Sequence, residues 1–420
     1  MATLAGYACP DSDCTTSIDS VRESAEPDRL RFPALRIPRG RLEPLALTIE
    51  PVRPGEPWTP LPGGPVFDTG EKAFSVEAFE KELIKRLKDR CIGFTYAINQ
   101  GGQLAVLGGE GVRRTSADGG QLDSSPTKRM HIASVTKNLT ATATLAALAQ
   151  TPAVDMNSKI KDFLPSLWDL GSGVGDIRFR HLLTHTSGIG PLFGASTTYA
   201  TLKSTIANGG VSPGGDLQYD NRNFGLLRII LPYLVCPPVM MAAEVEGFNN
   251  DNYDEVVDQK TSELYVHLLR YYIFNRIGIG NAQCRPNSND AARTRFYQFP
   301  DAGAPGQDGG DWTRRSGGAG WVLSAHDLAK YLAFRRYSET LLSGELRDDM
   351  DQERYGWLTI TGANGVYLRH GGAFTASGPL QAVIMQFPIN VEAVVLVNSN
   401  LSAGSSLSTV VANAFDAAWT

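Results

Sequence analysis

The spacing of apolar and polar positions changes several times along the chain, and each change marks an element. From Ser75 onward, Val76, Phe79, Leu83 and Leu87 recur at helical spacing among Glu77, Glu80, Lys81, Lys85, Arg86 and Lys88. That pattern predicts an amphipathic helix with Ser75 as its N-cap. Two strand-like runs follow, IGFTYAI (92–98) and QLAVLG (103–108), and the Asn99-Gln-Gly-Gly between them predicts a hairpin. Near the other end, GVYLRH (365–370), PLQAVIMQF (379–387) and VEAVVLVNS (391–399) read as strands, and residues 405–419 as a closing apolar helix. The stretch between is helical and loop-rich.

Strand-rich ends around a helical middle predict an α/β (α+β) fold. An antiparallel sheet built from both chain ends is flanked by helices, and a mainly helical domain is inserted into it. The expected boundaries are 71–137 and 318–420 for the sheet domain and 138–317 for the helical domain. Residues 1–70 read differently, because 11 of the 24 prolines fall between Pro10 and Pro65. Proline fixes φ and removes a backbone donor, so this segment is expected to be an extended arm.

Composition narrows the function classes. Against 39 basic residues stand 44 acidic ones, a net charge of −5, which argues against nucleic acid or an anionic membrane as partner. No apolar run reaches the ~18 residues that a membrane span needs. The first 30 residues lack a basic start followed by an apolar stretch. No secretory leader is therefore expected; the cytoplasm is the default compartment, and secretion stays open if the chain is processed. Five cysteines in 420 residues are too few for a disulfide scaffold. Cys9 and Cys14, both in the arm, lack the further ligands of a zinc site. Asn400-Leu401-Ser402 fits a glycosylation pattern.

Several catalytic signatures are missing, among them Gly-x-Ser-x-Gly and the phosphate-binding P-loop. His181 and His185 stand at the i, i+4 spacing of two metal ligands, but Leu182 occupies the place of a zincin glutamate. A helix end with local hydrogen bonds explains that pair better, and no metal or other cofactor is expected. A Ser-x-x-Lys pair offers another route, since one helical turn sets both side chains on one face. A buried lysine loses proton affinity and can activate a serine hydroxyl. The chain holds three such pairs: Ser125/Lys128, Ser134/Lys137 and Ser158/Lys161. Ser125 precedes Pro126 in a polar loop, and Ser158/Lys161 lies in a short amphipathic turn. Ser134 opens SVTKNLTATATLAALA, a run apolar nearly all round, where a buried lysine is costly unless it has a chemical task. Tyr219-Asp220-Asn221 is the one Tyr-x-Asn in the chain and His370-Gly371-Gly372 the one His-x-Gly.

Ser-x-x-Lys, Tyr-x-Asn and His-x-Gly in this order resemble the motif set of the penicillin-recognising serine hydrolases. These include class C β-lactamases, DD-peptidases, D-aminopeptidases and related esterases and transacylases. MHIASVTKNLTA, FRHLLTHTSGI, LQYDNRNFGLL, SGGAGWVLSAHDLAKYL and AVVLVNS also resemble family segments, in family order, from about residue 75 to the end. The resemblance implies Ser134 as nucleophile, Lys137 as its partner in proton transfer and Tyr219 as general base or acid. It implies that Asn221 orients Lys137 and contacts substrate, and that His370 lines the pocket and orients Tyr219 or the substrate. The oxyanion hole would come from the N–H groups of Ser134 and Ala373, the residue after Gly372.

Many β-lactamases carry lysine at the start of the third motif and a hydroxyl residue just after its glycine, which help hold a carboxylate. This chain has His370 and Ala373. The expected substrate is accordingly a small-molecule ester, amide or peptide, handled by an esterase, amidase or D-aminopeptidase-like enzyme. β-Lactamase or DD-peptidase activity is one alternative, and a catalytically silent penicillin-binding or sensor module on the same fold is another. Met240, Met241 and Phe248, in an apparent enlargement of the helical region, are candidates for an apolar acyl site.

Overall fold

The computed structural model describes residues 66–68, 73–190, 196–374, 378–402, 404 and 406–419. The proline-rich arm, with Cys9 and Cys14, lies outside the described residues except for β1 (Val66–Asp68), which pairs antiparallel with β2 (Ala73–Ser75). Ser75 then caps α1 (Val76–Leu87), its hydroxyl accepting from the Ala78 N–H at 3.2 Å. Val76, Phe79, Leu83 and Leu87, the predicted stripe, are its buried residues.

β3 (Gly93–Gln100) and β4 (Gln103–Arg114) form the expected hairpin. Gly101 and Gly102 turn it with φ of +58° and +77°, a conformation that two-residue hairpin loops require and glycine adopts without strain. β5 (Leu122–Asp123) extends this edge, and β6 (Met130–His131) leads into the turn that carries Ser134. The helical stretch comprises α2 (Thr136–Ala149), α3 (Phe179–Leu183), α4 (Tyr199–Asn208), α5 (Asn221–Val235), α6 (Pro237–Asn249) and α7 (Tyr253–Leu269). No single helix among the described residues is long and apolar enough to cross a membrane; α5 and α6 pass that test only as a pair bent by 109°. The bend falls at Cys236, where Pro237 and Pro238 open the next helix.

The chain returns through β7 (Val322–Leu323), α8 (Ala325–Tyr337) and α9 (Gly344–Gln352). β8 (Leu358–Gly362), β9 (Gly365–Phe374), β10 (Leu380–Phe387), β11 (Val391–Val397) and α10 (Leu407–Asp416) close it. The seven-stranded sheet runs β5-β4-β3-β11-β10-β9-β8, antiparallel throughout. The pairing of β11 with β3, Val397 opposite Phe94, joins the two chain ends, as the strand pattern predicted.

Alternation along the strands divides the interior into two cores. On β10, Val383, Met385 and Phe387 face α1 and α10, where the Phe387 and Phe415 rings stack with centroids 4.1 Å apart. Leu380, Ala382 and Ile384 turn to the other face, toward α8 and the helical layer that contains α2 and α5. Ser134 lies on this second side, between sheet and helices.

Candidate active site

Ser134 occupies a single 3₁₀ turn, Ala133–Val135, immediately before α2. Ala133 holds φ at +44°, a region that costs a non-glycine residue roughly 1–3 kcal/mol and that clusters at functional sites. α2 itself is buried from Thr136 to Leu148, so the apolar-all-round sequence becomes a central helix, with Lys137 fully enclosed.

The Lys137 Nζ donates to Ser134 Oγ at 3.0 Å, Asn221 Oδ1 at 2.9 Å and the Gly318 carbonyl at 2.7 Å. Three oxygens at these distances match the three donors of an ammonium group. The Gly318 carbonyl comes within reach because Gly317 has no side chain: a Cβ there would stand 2.2 Å from the Phe224 carbonyl oxygen of α5. Thr140 Oγ1, one turn beyond Lys137, donates to the Gly317 carbonyl at 2.7 Å and ties the same segment to α2.

Asn221 is the first residue of α5, and Asp220 caps that helix by accepting from the Arg222 N–H at 2.8 Å. The Arg222 guanidinium clamps both Asp220 oxygens, at 2.9 and 2.8 Å, away from Lys137. Tyr219, one residue earlier, is half-buried, and Lys137 Nζ lies 5.2 Å from its ring centroid. The His185 ring packs on Tyr219 with centroids 4.5 Å apart, and His370 stands at 6.4 Å. Both imidazoles are pushed toward the neutral form, first by burial and then by the Lys137 charge. His185 falls to about 3, and His370 also lies well below its ordinary value.

β9 brings in the third motif. His370 is buried, its Nδ1 3.1 Å from the Gly371 carbonyl. Gly372 is pressed against the serine turn: a Cβ there would meet the Ile132 carbonyl oxygen at 2.5 Å and the Ser134 nitrogen at 2.9 Å. Ala373 follows at the exposed end of the strand, and Phe374 packs edge-on against Trp312, with centroids 4.4 Å apart. The structure thus gathers Ser134, Lys137, Tyr219, Asn221, His370 and Gly372 around one node, with Ala373 next along the strand.

The other Ser-x-x-Lys pairs do not form a comparable node. Lys128 pairs with Asp290 at 3.2 Å, while the Ser125 hydroxyl meets Thr127. Ser158 bonds Asp155, and Lys161 is exposed. Met240 is buried, whereas Met241 and Phe248 are 66% and 69% exposed, so the three form no common apolar wall beside Ser134. Phe248 instead edges a cavity of about 750 Å³ between α4 and the α6–α7 turn, which contains none of the seven predicted residues.

Three contributions escaped the sequence reading. His181 does serve a helix end, its Nδ1 accepting from the Arg178 N–H, but His185 is not a helix-end histidine: it packs on Tyr219. The Gly318 carbonyl anchors Lys137, and Trp312 stands beside the end of β9. The HTSG and SGGAG segments around His185 and Gly318 were visible as family-like runs, yet nothing local in them points to Tyr219 or Lys137.

Residues 77–233, which include Ser134, Lys137, Tyr219 and Asn221, match the family model described as Beta-lactamase. This match is consistent with the penicillin-recognising serine hydrolases that the ordered motifs resemble. No curated protein matches the chain significantly in sequence. Among solved structures it is similar to the octameric penicillin-binding protein homologue from Pyrococcus abyssi, at 19% identity and a TM-score of 0.62 over 81% of this chain and 76% of that one. It is also similar to a β-lactamase/D-alanine carboxypeptidase from Yersinia pestis, at 17% identity and a TM-score of 0.60 over 82% and 99% of the two chains. A D-amino acid amidase from Ochrobactrum anthropi SV3 matches at 18% identity and a TM-score of 0.59, over 81% and 97%. At these identities the structural likenesses carry the fold. The family matched is one of serine hydrolases.

Proposed function

We propose that this protein is a serine acyl hydrolase or acyltransferase that takes ester or amide substrates through an acyl-enzyme on Ser134. The observation that carries this reading is the Lys137 node: one buried amine bonded at once to Ser134 Oγ, Asn221 Oδ1 and the Gly318 carbonyl. The last two partners only accept, so they take N–H bonds whatever the charge on the nitrogen. In the neutral amine, the remaining lone pair points at Ser134 Oγ and is the site that receives the hydroxyl proton.

Attack of Oγ on the substrate carbonyl carbon forms a tetrahedral adduct whose oxyanion is held by the N–H groups of Ser134 and Ala373. The close approach of Gly372 to the serine turn supports this pairing. Tyr219 passes a proton to the departing alcohol or amine as the carbonyl carbon–leaving group bond breaks, leaving an ester on Ser134. Water, or an alcohol or amine in a transfer reaction, then attacks that ester and gives its proton to the Tyr219 phenolate; the acyl carbon–Oγ bond breaks and Lys137 returns the proton to Oγ. The aromatic pair Trp312 and Phe374, beside Ala373, supports an apolar or aromatic group on the substrate.

His370 and Ala373, in place of a lysine and a hydroxyl residue, favour esters and amides over the carboxylate-bearing substrates of β-lactamases and DD-peptidases. The filled catalytic positions count against a silent binding module. Covalent labelling by a fluorophosphonate or penicillin probe tests the reading. We expect labelling that disappears in Ser134→Ala, with turnover of p-nitrophenyl esters or D-amino amides by the parent. Equal labelling of the variant would remove Ser134 as nucleophile; labelling without turnover of any ester, amide or cephalosporin would favour the silent module.

A further inference from the structure

The environment of His185 carries an inference about the same site, and it builds on the proposed role of Tyr219. His185 belongs to the loop after α3 and holds φ at +58°, a left-handed conformation that is uncommon for a residue of this size. Its ring is 3% exposed and packs on Tyr219 at 4.5 Å with an interplanar angle of 36°. The Nδ1 faces two donors, the Asp220 N–H at 3.3 Å and Asn223 Nδ2 at 3.3 Å. A ring nitrogen facing two donors must accept, which assigns the ring proton to Nε2. Asn223 is held in turn: its Oδ1 accepts from Ser187 Oγ at 2.6 Å and its Nδ2 also donates to the Asp220 carbonyl at 3.3 Å.

The result is a chain of contacts from the His185–Ser187 loop through Asn223 of α5 to the backbone of Asp220, next to Tyr219. We infer that His185 is a positioning residue for Tyr219: its neutral ring, fixed by Asn223 and the Asp220 amide, sets the plane of the phenol over Lys137. The charged and titratable groups around Tyr219 are otherwise Lys137 of α2, His370 and Arg369 of β9, and the Asp220–Arg222 pair of α5. Of these, Lys137 Nζ lies 5.2 Å from the Tyr219 centroid and the His370 ring 6.4 Å, so the ring packed nearest is that of His185, at 4.5 Å. A charged His185 would turn an N–H toward two other donors and place a second cation near Lys137, so the arrangement works only with the imidazole neutral.

The test combines a signature of the Tyr219 ring with the rate of Ser134 labelling. In protein containing 3-fluorotyrosine, the Tyr219 ¹⁹F resonance is assigned by its loss in Tyr219→Phe. We expect His185→Gln, which keeps a hydrogen-bonding side chain but no ring, to move or broaden that resonance and to slow fluorophosphonate labelling about tenfold. His185→Phe, which restores a ring but not the Nδ1 acceptor, should recover part of both. An unchanged resonance with a labelling rate within twofold of the parent in His185→Gln would overturn the inference, as would equal losses in the Gln and Phe variants. Should His185→Gln not fold, Asn223→Ser removes one donor to Nδ1 while leaving both rings. There, a displaced resonance supports the inference and an unchanged resonance and rate overturn it. A parent that never labels at Ser134, with a resonance that still responds to His185, would remove the hydrolase reading and leave the placement of Tyr219 standing.

Discussion

Lys137 Nζ stands 3.0 Å from Ser134 Oγ, one turn earlier in the chain, while its other two donors are bound by Asn221 and Gly318. The two fixed acceptors aim the amine at the serine, so its value to catalysis is directional. Lys137→Met keeps the volume and removes the nitrogen. We expect a loss of about 10³-fold in the rate of acyl transfer, within the range general-base catalysis contributes. Because the substitution also leaves Asn221 Oδ1 and the Gly318 carbonyl without their donor, stability should fall by about 1–3 kcal/mol. Labelling kinetics and a thermal melt on one preparation separate the two effects. A variant with near-parental rate would take proton transfer away from Lys137.

Gly372 and Gly371 are neighbours on β9 with opposite surroundings. A Cβ at Gly372 meets the backbone of Ile132 and Ser134, whereas one at Gly371 first meets the Ser408 hydroxyl at 3.2 Å. Gly372→Ala therefore forces strand and serine turn apart, and we expect it to cost about 1–3 kcal/mol of stability, as overpacking does. It should also lower activity at least tenfold through the displaced turn. Gly371→Ala should cost less on both counts. Denaturant melts and ester hydrolysis of the two variants, side by side, check the contrast.

Acid should weaken the fold through its neutral histidines. Burial lowers His185 to about 3 and holds His370 well below its ordinary value, whereas in the unfolded chain both titrate near 6.5. Below that pH the unfolded chain takes up protons that the folded chain refuses. The stability these groups contribute is complete above about pH 7 and is lost as pH falls from about 6.5, at up to ~1.4 kcal/mol per pH unit for each histidine. Urea midpoints between pH 7.5 and 5 should fall accordingly, and His370→Gln should flatten the slope. Midpoints that do not change across this range would show these rings to be charged in the fold.

Trp312 is expected to set the preference for the substrate's apolar part. It packs edge-on against Phe374, and the Arg315 guanidinium lies 5.7 Å from its ring. Trp312→Ala should raise KM for aryl esters several-fold while changing kcat for acetyl esters little. Equal effects on both substrates would place the ring outside the substrate's reach.

The Asn400 glycosylation pattern should remain unmodified in folded protein. Asn400 Oδ1 accepts from the Phe299 N–H at 2.7 Å and its Nδ2 donates to the Phe299 carbonyl at 3.3 Å. Intact mass after expression in a glycosylating host checks this. Asn400→Ala, which leaves the Phe299 N–H without its acceptor, should cost about 1–3 kcal/mol.

Much of this architecture could be read from local pattern. The i, i+3 and i+4 spacing from Val76 to Leu87 set the buried face of α1, and the strand-like runs near both chain ends marked β3, β4, β9, β10 and β11. Ser134 and Lys137 belong to the same category, because residues three positions apart on one turn are neighbours whatever surrounds them. Even the choice among three Ser-x-x-Lys pairs was local, resting on a helix too apolar to face water.

What local pattern leaves undetermined is which distant backbone completes the node. Asn221 lies 84 residues from Lys137 and Gly318 181 residues away, and only the packing of α5 and the Gly317–Gly318 segment on α2 sets them around one nitrogen. The two histidines of HLLTH look alike along the chain, at metal-ligand spacing, yet one caps a short helix and the other faces Tyr219. Their difference comes from the left-handed turn at His185 and from Asn223 on another helix. Periodicity records which side of an element is buried; the partner it is buried against is decided by the close approach of backbones, at Gly317 and Gly372, that glycines permit and side chains would block.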